Sequence, residues 1–187
     1  MDAFSYLSVL ISLILGLAIT QVLKGFRGLM QARTRLRNYW PAVLWAILIV
    51  VISVQSWWSM FGLRHHTDWT FFEFSAVLMQ TIILYLLAAL VLPDVFGDSD
   101  VDLRAHYYGH RRWFFALLAL LIVSSIVKQL VVDGKLPRPL DLAFHVVFAA
   151  SAVGGIVITR ARFHEYLAVL GVLIICAYIG LLFTHLQ

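Results

Sequence analysis

Six long apolar stretches separated by short polar ones constrain this chain more than any other feature. They run roughly from Phe4 to Leu23, Trp40 to Phe61, Thr70 to Leu92, Trp113 to Val132, Leu140 to Thr159 and Phe163 to Leu186. A helix needs about 20 mostly apolar residues to cross a bilayer's hydrocarbon core, and each stretch has that length. Spanning strands are excluded, because continuous apolar runs lack the alternation of a membrane barrel. The expected fold is all-α: a single transmembrane domain over residues 1–187, six helices with short loops. Composition agrees, with 62% hydrophobic and 13% charged residues against about half and a quarter in soluble domains.

Proline marks the boundaries. Pro41 suits the first turn of the second helix, Pro93 follows the third, and "KLPRPL" at 135–140 makes a tight link between the fourth and fifth. The first run follows "MDAF" rather than positive residues and has no A-x-A cleavage pattern after it, so it is expected to be retained as a span. With six spans, one side carries Lys24, Arg27, Arg33, Arg35, Arg37, Arg104, Arg111, Arg112, Arg160 and Arg162, and the other Arg64, Lys128, Lys135 and Arg138. The positive-inside rule makes the first side cytoplasmic and both termini non-cytoplasmic, in a plasma membrane or bacterial inner membrane. The formal charge of +4 is then explained by topology, without a nucleic-acid partner. The segment "KGFRGLMQARTRLR", with Lys24, Arg27, Arg33, Arg35 and Arg37, is expected to meet anionic lipid headgroups or a partner protein. Trp40, Trp57, Trp58, Trp69, Tyr107, Tyr108 and Trp113 lie near span ends, as an interfacial aromatic belt requires.

The two halves carry similar segments. "EFSAVLMQTII" from Glu73 and "EYLAVLGVLII" from Glu165 match at Glu, Ala, Val, Leu and two Ile, and Gln21 and Gln129 sit near the ends of the first helix of each half. These matches raise the expectation of a three-plus-three duplication, whose halves would be inverted because each has an odd number of spans. In the first helix Ser5, Ser8, Ser12, Gly16 and Thr20 fall on one face, an expected small-residue seam for a packed neighbour.

Ionisable groups inside lipid are costly and face a bundle interior or water. On the less basic side Asp141 and His145 are one helical turn apart, and a neighbouring carboxylate makes such an imidazole a proton-sensitive group. Glu73 and Gln80 share a face of the third helix, and Lys128 shares a face of the fourth with Ser124 and Ser125. Glu73, Gln80, Lys128, Asp141 and His145 form the expected binding or permeation path. His65, His66 and His185, with Glu73 or Asp141, are conceivable zinc ligands by residue type, but no ligand spacing supports a site.

On the basic side, Asp102, His106 and His110 repeat every four residues and form a secondary candidate pair of imidazoles with a carboxylate. Two histidines at i and i+4 can share a metal, yet the glutamate of the zinc-protease pattern is missing and no third strong ligand is evident, so no metal site is expected. "DVFGDSDVD" from Asp94 fails as a calcium loop, since Leu103 and Gly109 stand where glycine and glutamate are required. The segment 102–115 is expected to lie at the interface, with Tyr107, Tyr108 and Trp113 at headgroup level and Arg104, Arg111 and Arg112 toward anionic lipid.

Seven histidines divided between two faces cannot supply the several boxes of a di-iron membrane enzyme, and His145 has no axial partner for haem. One cysteine, Cys176, excludes a disulfide framework. No hydrolase, zinc-protease or phosphate-loop motif is present, so no cofactor is expected. The leading expectation is a small transporter or channel for an ion, proton or small solute, working as a homo-oligomer. The alternative is a non-catalytic membrane module, either a lipid- or partner-binding subunit or a sensor, and the third a metal- or haem-dependent membrane enzyme.

Overall fold

The computed structural model describes residues 3–95 and 100–182. Six helices carry nearly all of them: α1 (Ala3–Gln31), α2 (Trp40–Met60), α3 (Phe71–Val91), α4 (Leu103–Asp133), α5 (Pro139–Val157) and α6 (Ala161–Leu182). All six are long and apolar enough to cross a membrane, so the protein is a six-span, all-α membrane protein. Asp98 and His185 lie outside the described residues, as does the side chain of His65.

The starts and stops are chemical. Pro41 and Pro139 occupy first turns, where the missing N–H is no loss. Thr70 caps α3 in a reciprocal box with Glu73: the Thr70 N–H donates to Glu73 Oε2 at 2.6 Å, and the Glu73 N–H donates to Thr70 Oγ1 at 3.3 Å. Asp102 caps α4 by accepting from the Ala105 N–H at 2.8 Å. Gly134 ends α4 in the left-handed region, at φ 63°, where a side chain would be strained.

Two helices exceed their apolar runs. α1 continues eight residues past Leu23, and α4 begins at Leu103 rather than near Trp113. At 1.5 Å per residue they reach roughly 44 and 46 Å, well beyond a hydrocarbon core of about 30 Å. Residues 102–115 are therefore the cap and first turns of a continuous spanning helix.

The long ends meet on one face of the bundle. There β1 (Leu36–Arg37) and β2 (Val101–Asp102) form a short parallel ladder, pairing Leu36 with Val101 and Arg37 with Asp102. This ties the α1–α2 and α3–α4 connections to the same face, called the basic face below. The α2–α3 and α4–α5 connections lie on the opposite face. Lys24 pairs with Asp94 at 2.8 Å, and Arg37 approaches Asp102 at 3.9 Å, so part of the basic segment is used within the chain. Arg27 and Arg33 are exposed and Arg35 is half-buried.

α3 packs chiefly between α1 and α4, α4 also packs on α5, and α6 contacts α2 and α5. The two halves therefore differ: α1 lies along α3 in the first, while α4 and α6 make no principal contact in the second. Gln21 donates to the Tyr85 hydroxyl at 3.2 Å, whereas Gln129 lines a polar cavity. The packing thus does not follow the expected three-plus-three inversion; the matching segments are apolar ones that resemble each other without occupying equivalent places.

Within the single chain, part of the first-helix seam faces outward. Ile11, Leu15, Ala18 and Val22 form the buried face of α1, while Ser12, Gly16 and Thr20 point outward. Thr20 returns its hydroxyl to the Gly16 carbonyl at 2.7 Å. Branched apolar side chains fill the interface with α3, leaving the small residues on the exterior. Close backbone approach occurs elsewhere: a Cβ on Gly25 would lie 2.8 Å from Leu92 Cβ, and one on Gly155 would lie 2.6 Å from the Phe115 ring.

Candidate functional site

Away from the basic face, the centre of the bundle is hollow and polar. A cavity of about 480 Å³ is lined by Gln55 and Ser59 of α2, Gln80 of α3, Ser125, Lys128, Gln129 and Asp133 of α4, Arg138 in the connection, Asp141 of α5 and Tyr178 of α6. A smaller one of about 90 Å³ shares Gln55, Gln80, Ser125 and Tyr178 with it and reaches His145 and Trp45. Gly62, Leu63 and Arg138, on the connections opposite the basic face, line the larger cavity and locate its mouth. Four of the five expected path residues, Gln80, Lys128, Asp141 and His145, line this space.

His145 is buried, 6% exposed, and links α5 to α4. Its Nδ1 lies 2.8 Å from the Asp141 backbone oxygen and 3.2 Å from Asp141 Oδ1. Both are acceptors, so Nδ1 carries a proton. Its Nε2 lies 3.1 Å from the Ser125 hydroxyl. In the neutral ring Nε2 accepts from Ser125; in the imidazolium it donates, and the hydroxyl turns round. The site can therefore take up a proton with no change beyond one hydroxyl rotation.

Gln80 is 7% exposed, and its Oε1 finds no hydrogen-bond partner among the described residues. A buried unsatisfied acceptor costs about 1–3 kcal/mol, and this one lines both the polar cavity and the smaller, mostly apolar one. Lys128 lines the larger cavity, and no carboxylate of the described residues lies within ion-pairing distance of it. Asp141 Oδ1 faces His145 Nδ1 at 3.2 Å but accepts no hydrogen bond among the described residues.

Glu73 does not join this group. Its carboxylate serves the first turn of α3 and lies 3.4 Å from His66 Nε2. That imidazole packs edge-on against Trp69, with centroids 4.9 Å apart. A glutamate three residues after a threonine at a helix start is a capping residue before it is a path residue, which is why the shared face with Gln80 misleads.

The floor of the hollow is Trp45. It stands edge-on to Phe114 and Phe115, with centroids at 5.6 and 5.4 Å. On its other side is a pocket of about 10 Å³, room for roughly one water molecule, lined by Trp45, Leu90, Val91, His106, Tyr107, His110 and Phe114. Here the second candidate group appears: His106 Nε2 donates to the Leu90 carbonyl at 3.1 Å, His110 Nδ1 donates to the His106 carbonyl at 3.0 Å, and the rings lie 4.4 Å apart. Asp102 does not ligate with them, being the cap of α4. No group of three metal-ligating side chains occurs among the described residues.

Toward the basic face the bundle is closed by a cluster that sequence reasoning assigned to the membrane surface. Arg111 is 5% exposed and donates to the carbonyls of Gly155, at 3.0 Å, and Ile158. These are end carbonyls of α5, which have no partner within the helix, and a cation there also meets the negative end of the helix dipole. His164, fully buried, donates from Nε2 to the same Ile158 carbonyl at 2.7 Å and accepts at Nδ1 from the Tyr107 hydroxyl at 2.9 Å. Tyr39 and Tyr108 share a hydrogen bond at 3.2 Å, and burial pushes the Tyr39 phenol well above its usual range. Arg111 and Tyr107 are thus interior residues, not headgroup contacts. The available signal was the four-residue step Tyr107, Arg111, Phe115 on one face of a helix. Trp57 and Trp113, by contrast, project outward as belt residues do.

No protein-family model, curated protein or solved structure matches this chain.

Proposed function

We propose that the protein moves a small polar solute, ion or proton across a membrane through the hollow that ends at Trp45. One observation carries this reading: a polar cavity away from the basic face continues into a smaller, mostly apolar space, a small pocket beside His106 and His110 approaches it from the other side, and a single indole forms a wall of both smaller spaces. A scaffold has no need of an uncompensated amide and an ammonium outside any salt bridge in one cavity, since each costs free energy that packing would recover. His145 and Asp141 supply a proton-responsive element beside the hollow, and His106 and His110 line the pocket beyond Trp45. By the positive-inside rule the basic face is cytoplasmic. The hollow then opens to the outside, in a plasma membrane or bacterial inner membrane. Ser12, Gly16 and Thr20 on the exterior of α1 suit association of several copies, because small residues let helices approach closely.

A second reading is favoured by the closed basic half and by the exposed Arg27 and Arg33. In it the protein is a non-catalytic module that senses a bound solute and docks anionic lipid or a partner. Flux into proteoliposomes separates the two. Transport requires flux that falls with His145→Ala and with Asp141→Asn and becomes an ungated leak with Trp45→Ala. Flux unaffected by the first two substitutions removes the named path, and a stoichiometric co-purifying partner without flux supports the module.

A further inference from the structure

A cavity of a different kind lies on the flank of the bundle. It measures about 330 Å³ and sits between the start of α1 and the end of α2. Phe4, Leu7, Ser8, Ile11 and Ser12 line it from α1, at steps that share one helix face. Phe4 and Ser12 are eight residues apart, so the crevice runs about 12 Å along the helix axis at 1.5 Å per residue. Trp57 and Trp58, in the last turn of α2, and Trp69, just before α3, form its outer end. Trp57 is 57% exposed and Ser12 is exposed, so the crevice opens sideways, on the surface that lipid covers. None of its lining side chains is charged, and it shares only Leu63 with the polar hollow.

This apolar wall carries donors without acceptors. Trp58 and Trp69 each bury an indole N–H that meets no partner among the described residues. Tryptophans flanking span ends stand at headgroup level, where the ester oxygens of phospholipids are the acceptors at hand. Arg64 lies over the Phe61 ring, 3.9 Å from its centroid, and Phe61 lines the crevice. A cation is thus stationed at the outer end. Of the nearby carboxylates, Glu73 is committed to Thr70 and His66, and Asp68 is exposed and outside the lining.

We propose that this crevice binds one acyl chain of a membrane phospholipid, the chain lying along α1, an ester oxygen beside Trp58 and Trp69, and the phosphate at Arg64. A polar solute would lose hydration against these walls and regain little. A hydrocarbon without oxygen leaves both indoles unsatisfied. The two N–H groups are covered by neighbouring side chains, so each reaches the lipid by a small rotation of its ring. The site goes beyond the transport reading and does not depend on it.

The test places the full-length protein in nanodiscs of phosphatidylglycerol and phosphatidylethanolamine, with a trace of phospholipid bearing a photoreactive group midway along one chain. Labelling is mapped by peptide mass spectrometry, and lipid retention by native mass spectrometry after transfer to detergent. Labels should concentrate on residues 4–12 and 57–61, and one phospholipid should remain per chain. Ser12→Phe fills the crevice from an exposed position and should lower both readouts at least about tenfold. Trp58→Phe with Trp69→Phe keeps the rings, deletes the N–H groups and should lower retention about tenfold. Arg64→Gln should lower it about threefold, the size of an exposed ion pair, and Arg64→Lys should restore it. Circular dichroism and a monodisperse elution profile check that each variant is folded; if Ser12→Phe is not, Ser8→Phe replaces it with the same expected loss. Labels spread evenly over the outer faces of α5 and α6, as by lipid that merely surrounds the bundle, overturn the proposal. So does retention unchanged in a folded crevice-filling variant, or displacement of the phospholipid by cholesterol or by glycerol phosphate. A dimer cross-linked through residues 4–12 with no lipid retained gives the crevice to a second copy and overturns it as well.

Discussion

The two halves of the bundle are built from the same six helices yet handle buried polarity in opposite ways. Toward the basic face, Arg111, His164 and Tyr107 are connected into one hydrogen-bonded group that uses up the end carbonyls of α5. Toward the opposite face, Gln80 Oε1 and Asp141 Oδ1 accept no hydrogen bond among the described residues and Lys128 makes no salt bridge there, while His145 is partnered at both ring nitrogens, by the Asp141 backbone oxygen and the Ser125 hydroxyl. A closed network rigidifies, because each member has its partner and any loss strands the others. An open one is available to something that comes and goes. The contrast teaches that buried polarity is partnered within the protein on one side of Trp45 and left open on the other, although both sides have the same kinds of residue.

Breaking the closed half should have the largest effect on stability. Arg111→Ala strands two carbonyls and is expected to cost about 2–4 kcal/mol, measured by reversible unfolding in mixed micelles. A cost near zero would mean that the group is not a closed network. Gly155→Ala drives a methyl against the Phe115 ring, which must move along with its neighbours, and should cost about 1–3 kcal/mol in the same assay. At the other extreme, Gly16→Ala on the exterior of α1 meets nothing within 4 Å. It should change unfolding by less than about 0.5 kcal/mol, as surface substitutions do. If it instead shifts the oligomer distribution, that face is an interface between copies.

Much of this was legible before any coordinates. Spans read directly, because lipid demands about 20 apolar residues per crossing and nothing else in a chain this short imitates that. Gln80, Lys128, Asp141 and His145 stood out for the complementary reason, as polar groups where lipid penalises them. Glu73 was misplaced because one carboxylate can serve a cap or a path, and the choice depends on which neighbour faces it. Arg111 was misread because an arginine next to an apolar run already satisfies the topology rule, so nothing local signals that it turns inward to the end of α5. Helix neighbours, and with them the fate of the apparent repeat, were not legible: apolar faces of leucine, isoleucine and valine are chemically alike, and only their three-dimensional fit selects a partner.

The division at Trp45 is tested most directly by side-specific thiol labelling in a Cys176→Ala background, with a membrane-impermeant reagent and no solute gradient. Gln80→Cys should react from the face bearing residues 61–70 and 134–138 and stay protected from the basic face, with Trp45→Ala opening it to both. Labelling of Gln80→Cys from the basic face with Trp45 intact, or from neither face, would contradict a hollow that opens on one side and ends at that indole.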